Sequence, residues 1–196
     1  GSPTDTGVGT ILRLVDRQVV LNEYIQIVGL TNGSGNSPLL GGSAFNVISV
    51  GRTDGSHQQG SVAVSGDTVY GAGRTVPTLV APQGTTSAAT PVVAAAAAVL
   101  VQTGHEGGSA LSTGSTVISG IGTIYDAERS ETVKAALMAG ADRQTANTST
   151  DANITDYGSA GFATSNGLDS RYGAGQVNSY NSYNILAGGE QKSVEH

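Results

Sequence analysis

Ten consecutive residues, Val92 to Val101, are alanine, valine or leucine, and a proline stands immediately before them at Pro91. Proline suits the first turn of a helix, where its missing N–H costs little. The run therefore predicts a helix from Val92 to Gln102, opened by Pro91 and stopped by Gly104. A helix that is apolar on every side is buried on every side. Its side chains are small, so whatever surrounds it must come close. A membrane-spanning helix needs about 20 apolar residues, and this run is half that length.

The rest of the composition agrees with close packing. The chain has 196 residues, of which 29 are glycine, 2 are phenylalanine and none is tryptophan or cysteine. Charged residues make up 12%, about half the share usual in a soluble domain. The net charge of −6 argues against nucleic acid and against an anionic membrane surface as partners, because both call for excess lysine and arginine. Without cysteine there are no disulfides and no thiolate chemistry. The start, Gly1-Ser2-Pro3-Thr4-Asp5, has no signal-peptide pattern. Val194-Glu195-His196 reads as the first residues of a histidine tag, so residues 193–196 are set aside and 1–192 are treated as one unit.

Periodicity gives a coarse order of elements. Ile11 to Asn22 reads as a helix, with Ile11, Val15 and Val19 on one face and Leu12, Leu14 and Val20 widening it. Tyr24 to Leu30 reads as a buried strand, Thr31 to Gly42 as a loop, and Asn46 to Val50 as a second strand closed by Gly51. Arg52 to Gly73 is polar and glycine-rich, with a short strand at Ser61 to Ser65. Leu79-Val80-Ala81 is a third strand ended by Pro82. Thr116 to Tyr125 reads as an extended connection, and Glu131 to Ala139 as a helix with Ser130 as N-cap and Gly140 as its stop. Asn147 to Asn166 is loop, and Val177 to Leu186 is a last helix ended by Gly188-Gly189. Strands alternating with helices predict an α/β fold with a parallel sheet.

Chemistry concentrates between the third strand and the alanine-rich helix. Ser87 sits at the N-terminal end of that helix, where free N–H groups and the helix dipole favour developing negative charge. An acyl-transfer nucleophile benefits from that placement; a serine there also serves simply as a cap.

Thr85-Thr86-Ser87-Ala88-Ala89-Thr90-Pro91 resembles, in register, the Gly-Thr-Ser-x-Ala-x-Pro nucleophile segment of subtilisin-like serine peptidases, the subtilase family, with Thr85 where glycine is usual. Val47-Ile48-Ser49-Val50-Gly51 and Leu79-Val80-Ala81-Pro82 resemble the family's two preceding strands. Ile25 to Thr31 followed by Asn32-Gly33 resembles its strand ending in asparagine and glycine, and Tyr172-Gly173-Ala174-Gly175-Gln176-Val177-Asn178 its closing segment. The resemblance covers roughly residues 25–190 and implies the C-terminal half of a subtilisin-like domain: a parallel sheet flanked by helices, with its first strands missing from this chain. It implies Ser87 as nucleophile and Asn32 as the side chain that donates to the oxyanion. Asn32 alternatively is only a turn residue, since Asn-Gly is a common turn pair, and Asn36 also follows a glycine; Asn32 is preferred because it comes directly off the strand. The implied activity is peptide-bond hydrolysis of a peptide or protein substrate, in a secreted or cell-envelope protein, with no required cofactor.

A serine peptidase also needs a base and a group that orients it. In the family both precede the asparagine by a long stretch. Only 31 residues precede Asn32, and none is histidine. Asp5 and Asp16 lack the expected surroundings. His57, His105 and His196 do not match the position of the base, and His57 reads as a solvated loop residue. The triad is incomplete here. A nicked product, a deliberately shortened chain and a natural short protein without catalysis all fit. The expected partner is the N-terminal half of the same domain or a second copy of this chain, because a half-sheet exposes an apolar edge. Asp54 and His57 are too few for a metal site. Asp151, Asp156 and Asp169 suit structural calcium by their oxygen-rich loops, or are plain solvated carboxylates. Gly71-Ala72-Gly73 is a fragment of a phosphate loop without the rest.

Overall fold

A computed structural model of the chain describes residues 5–35, 38–58, 63–106, 114–147 and 151–188. Asn36, Ser61, Val62, His196 and the terminal segment fall outside the described residues. The elements, in chain order, are α1 (Asp5–Asn22), β1 (Ile27–Gly29), β2 (Ile48–Arg52), β3 (Leu79–Ala81), α2 (Thr86–His105), β4 (Ser115–Ile118), β5 (Gly122–Tyr125), α3 (Ser130–Ala139) and α4 (Ser179–Gly188), with short 3-10 turns at Gly41–Ser43 and Asp126–Glu128. The fold is mixed α/β, with a small parallel sheet in the order β1-β2-β3 flanked by helices.

Side-chain alternation sorts the core into layers. Ile27, Ile48, Val50, Leu79 and Ala81 point to the face covered by α2, α3 and α4, where they meet Ala89, Val93, Ala97, Leu100, Val133, Leu137 and Leu186. Val28 points the other way, toward a cluster of Val8, Leu12, Ala44, Val47 and Tyr70 that holds α1. Val80 packs under Ile154 and Tyr172 on that second face. β2 is central and nearly wholly buried, whereas every residue of β1 is only half-buried, as befits the sheet edge. The outer side of β3 is covered: Val80 N–H donates to Gly175 O at 3.0 Å, and Val177 N–H donates to Val80 O at 2.9 Å. The Gly-x-Gly of this closing segment is required by space and conformation. Gly173 and Gly175 have φ of +59° and +132°, and a Cβ at Gly173 would strike the carbonyl oxygens of Pro77 and Thr78.

Several expectations change. α1 starts earlier and buries Val8, Leu12 and Val19 together with Asp16, while Ile11, Leu14, Val20 and Leu21 are exposed. Asp16 draws that face inward: its carboxylate accepts from Phe45 N–H at 3.1 Å, Asn46 N–H at 2.7 Å and Tyr70 OH at 2.5 Å. Thr116 to Tyr125 is the greater part of an antiparallel hairpin, β4–β5, not an open connection. Ala63–Ser65 is not a strand. Ser130 is the first residue of α3 rather than its cap, and its N–H donates to Glu23 at 3.0 Å. α4 begins two residues later than the sequence suggests.

α2 changes most. It begins at Thr86, so Pro91 lies inside the helix, and it is not buried on all sides: Pro91, Ala95, Ala98 and Val99 are exposed. By length and composition it is apolar enough to cross a membrane, but it packs on all three strands and on α3 and α4. At its C-terminal end the packing is at backbone contact. A Cβ on Gly104 would lie 2.7 Å from Glu128 N and 2.8 Å from Ala127 C. Gly104→Ala is therefore expected to destabilise the protein by about 1–3 kcal/mol through overpacking, measured as a lowered denaturant midpoint at unchanged m-value.

Candidate functional site

In a parallel sheet the C-terminal ends of all strands share one side, which is where open α/β sheets build their sites. β1 delivers Asn32 to that side, β2 the segment 52–58, and β3 the turn Pro82–Thr85 into α2. Asn32 and the Ser87 turn are thus brought together from residues 54 positions apart.

Thr85, the position where the family pattern has glycine, is the N-cap of α2. Its backbone is extended (φ −144°, ψ 156°), and its Oγ1 accepts from Ala88 N–H at 3.1 Å. Ser87 is the second helical residue and is exposed. Pro91 withholds the N–H that would otherwise bond the Ser87 carbonyl one turn back. Thr90 Oγ1 donates to the neighbouring carbonyl, Thr86 O, at 2.8 Å. The first turn of α2 thus lacks one helix bond, at the Ser87 carbonyl, while remaining capped by Thr85.

Asn32 closes the other side. Gly33 has φ of +88° and turns the chain directly after it. Asn32 Oδ1 accepts from Thr86 N–H at 2.9 Å and from Thr86 Oγ1 at 3.2 Å. A backbone N–H can only donate, so the amide oxygen must face Thr86 and Nδ2 is the amide's donor end. This bond also satisfies one of the orphan N–H groups at the helix start.

His57 is not the solvated residue expected from its polar surroundings. It is fully buried. Arg52 N–H donates to Nδ1 at 2.9 Å, which forces the hydrogen onto Nε2, and Nε2 donates to Arg171 O at 2.8 Å. The ring lies over Gly51, where a Cβ would come within 2.6–2.8 Å of three ring atoms. Burial holds the imidazole down to a pKa of about 4, with the Arg52 charge adding to that; the Arg171 carbonyl and the Asp54 charge pull the other way. With both nitrogens committed to backbone atoms, this ring cannot act as the base for Ser87. No sequence signal marked it, because its partners are main-chain groups of remote segments.

The other candidates are equally committed. His105 lies at the far end of α2, about 27 Å from Ser87 at 1.5 Å rise per residue, and pairs with Glu128 at 3.1 Å. Asp16 is structural, as described above. Asp54 pairs with Arg52 and accepts from Ser56 N–H at 2.8 Å, so it offers no metal site with His57. The calcium reading of Asp156 and Asp169 also gives way. Both carboxylates pair with Arg171, at 2.8 and 3.1 Å, and its guanidinium is stacked 3.6 Å from the Phe162 centroid and 4.5 Å from that of Tyr172. Asp151 is not part of any metal-holding group, and none exists among the described residues. Gly71 accepts from Arg74 Nε at 3.3 Å in an ordinary turn.

No family model matches this chain, and no curated protein matches it.

The buried neutral ring has a consequence for stability. The unfolded histidine titrates near 6.5 and the folded one near 4, so between these values the unfolded state binds more protons. Stability is full above pH 6.5 and declines as pH falls to 4, by about 3 kcal/mol from this group alone. His57→Gln keeps one donor and one acceptor without the titration. Urea unfolding from pH 7 to 4 is expected to show a shallower loss in that variant than in the parent chain.

Proposed function

We propose that this chain carries the nucleophile half of a subtilisin-like serine endopeptidase site. Ser87 attacks the carbonyl of a peptide or protein substrate. Asn32 Nδ2, with the Ser87 backbone N–H, donates to the oxyanion. The acyl-enzyme is then hydrolysed by water. The observation that carries this reading is the bond from Thr86 N–H to Asn32 Oδ1, which ties the amide to the helix start one residue before Ser87. The sequence pattern around Thr85–Pro91 supports it, as does the placement of Ser87 at the start of a 20-residue helix.

On this reading the base and its orienting carboxylate come from the N-terminal half of the same domain. β1 is the place for that half to dock. Gln26 O, Val28 and Leu30 N–H face β2, so by alternation the backbone groups of Ile27 and Gly29 face outward. Beside this edge lies an apolar groove of about 540 Å³ lined by Ile25, Ile27, Ala94, Ala98 and Val101. Added parallel strands would cover both. The secreted or cell-envelope setting belongs to the same proposal. The commitment of both His57 nitrogens favours a second reading, a scaffold that binds without catalysis when this chain stands alone.

A fluorophosphonate probe separates the two. In a protein that restores the preceding segment, labelling at Ser87 is expected and Ser87→Ala abolishes it; this chain alone stays unlabelled. Asn32→Ala is expected to lower kcat by about 10²–10³ with KM little changed. Undiminished peptidase activity in Ser87→Ala would reject the assignment.

A further inference from the structure

We infer that His57, as the neutral Nε2–H tautomer, is a positioning residue for Asn32 and, through it, for the Ser87 end of α2; this rests on the oxyanion role proposed for Asn32. The links are contiguous. The imidazole ties Arg52 N–H, at the end of β2, to Arg171 O in the closing loop, two segments more than 100 residues apart in sequence. It thereby pins the turn 52–58 from inside. The same turn brackets Asn32 by backbone hydrogen bonds on both sides: Gly33 N–H donates to Ser56 O and Gln58 N–H to Thr31 O, each at 3.1 Å. Asn32 in turn holds Thr86 N–H. The ring has one arrangement that satisfies all of this. Protonation would put a hydrogen on Nδ1 opposite the Arg52 N–H, two donors face to face. The charged groups that face the ring are Asp54 and Arg52, and they are already paired with each other; Arg171 meets it through its main chain.

Amide exchange reads this coupling without any reaction. The Thr86 N–H is the first of the helix and has no intrahelical acceptor, so its protection reports on Asn32. Gly33 N–H reports on the turn, and Leu137 N–H, in the interior of α3, is the control. At pH 7, His57→Ala is expected to raise exchange at Gly33 and Thr86 at least tenfold with Leu137 unchanged. His57→Gln, which supplies one donor and one acceptor, is expected to stay within about threefold of the parent chain. Should His57→Ala not fold, the parent chain answers alone: on acidification, the Thr86 and Gly33 amide resonances should move with the same midpoint as the His57 ring while α3 signals hold still. Thr86 protection indifferent to His57 would overturn the inference. So would a loss of protection at Leu137 in step with Thr86, since the ring would then be a general stabiliser. Intact coupling together with unlabelled Ser87 in the longer protein would overturn the peptidase reading and leave the clasp in place.

Discussion

How closely α2 lies on the sheet governs everything else in this protein. A Cβ on Gly29 would come within 2.5 Å of Thr90 Oγ1, so β1 and the start of α2 approach as near as a glycine allows. Only small side chains permit that spacing, which is why Ala89, Ala96 and Ala97 occupy the buried stripe with Val93 and Leu100. The closeness has a chemical effect as well as a packing one. It brings the first N–H groups of α2 within reach of the loop that leaves β1, and Asn32 bonds one of them. A bulkier helix would hold the serine turn away from the asparagine, and the two would be unrelated residues.

Polar groups then fix what packing alone leaves loose. The loops around the sheet are rich in glycine and polar residues. Asp16 gathers two N–H groups and a phenol, Arg171 gathers two carboxylates and two rings, and His57 joins two main-chain segments. Each is a buried or nearly buried group with its partners in place, and such groups are costly to leave half-satisfied. They set the loops in one arrangement, and they remove themselves from chemistry by doing so. That is the reason Asp156 and Asp169, which the sequence leaves as calcium ligands or solvated carboxylates, serve a guanidinium.

The parts of this fold that were legible in the sequence are those whose cause is local. The three strands follow from short β-branched runs, α3 from its periodicity between Ser130 and Gly140, and the Gly173–Gly175 pattern from conformations that other residues avoid. The contact between Asn32 and the turn before Ser87 joins segments remote in sequence, which no local pattern shows. What was hidden depends on contacts distant in sequence. Hydropathy misphases the face of α1, because its buried side includes Asp16, which hydropathy assigns to solvent, while Ile11 and Leu14 look outward. Pro91 suggests a start for α2 six residues later than the real one, because proline suits a first turn, whereas Thr85 caps the helix a turn and a half earlier. The polar neighbours of His57 suggest solvent, because its cover is not local: Gly51 lies below it and Arg171 beyond.

The position of His57 also explains why a histidine so near the asparagine is not a base for Ser87. A general base needs one ring nitrogen exposed to the nucleophile and the other held by an acceptor. His57 has a donor on Nδ1 and an acceptor on Nε2, both from the backbone, and no face open to solvent. Its arrangement suits a strut and opposes a base. On the peptidase reading the base is not His57, and among the described residues no strand pairs with the outer side of the sheet at β1. β1 supplies that side: an edge with outward backbone groups, next to a groove between it and α2. The exposed Ala98 of α2 and the outward edge of β1 thus meet at one groove.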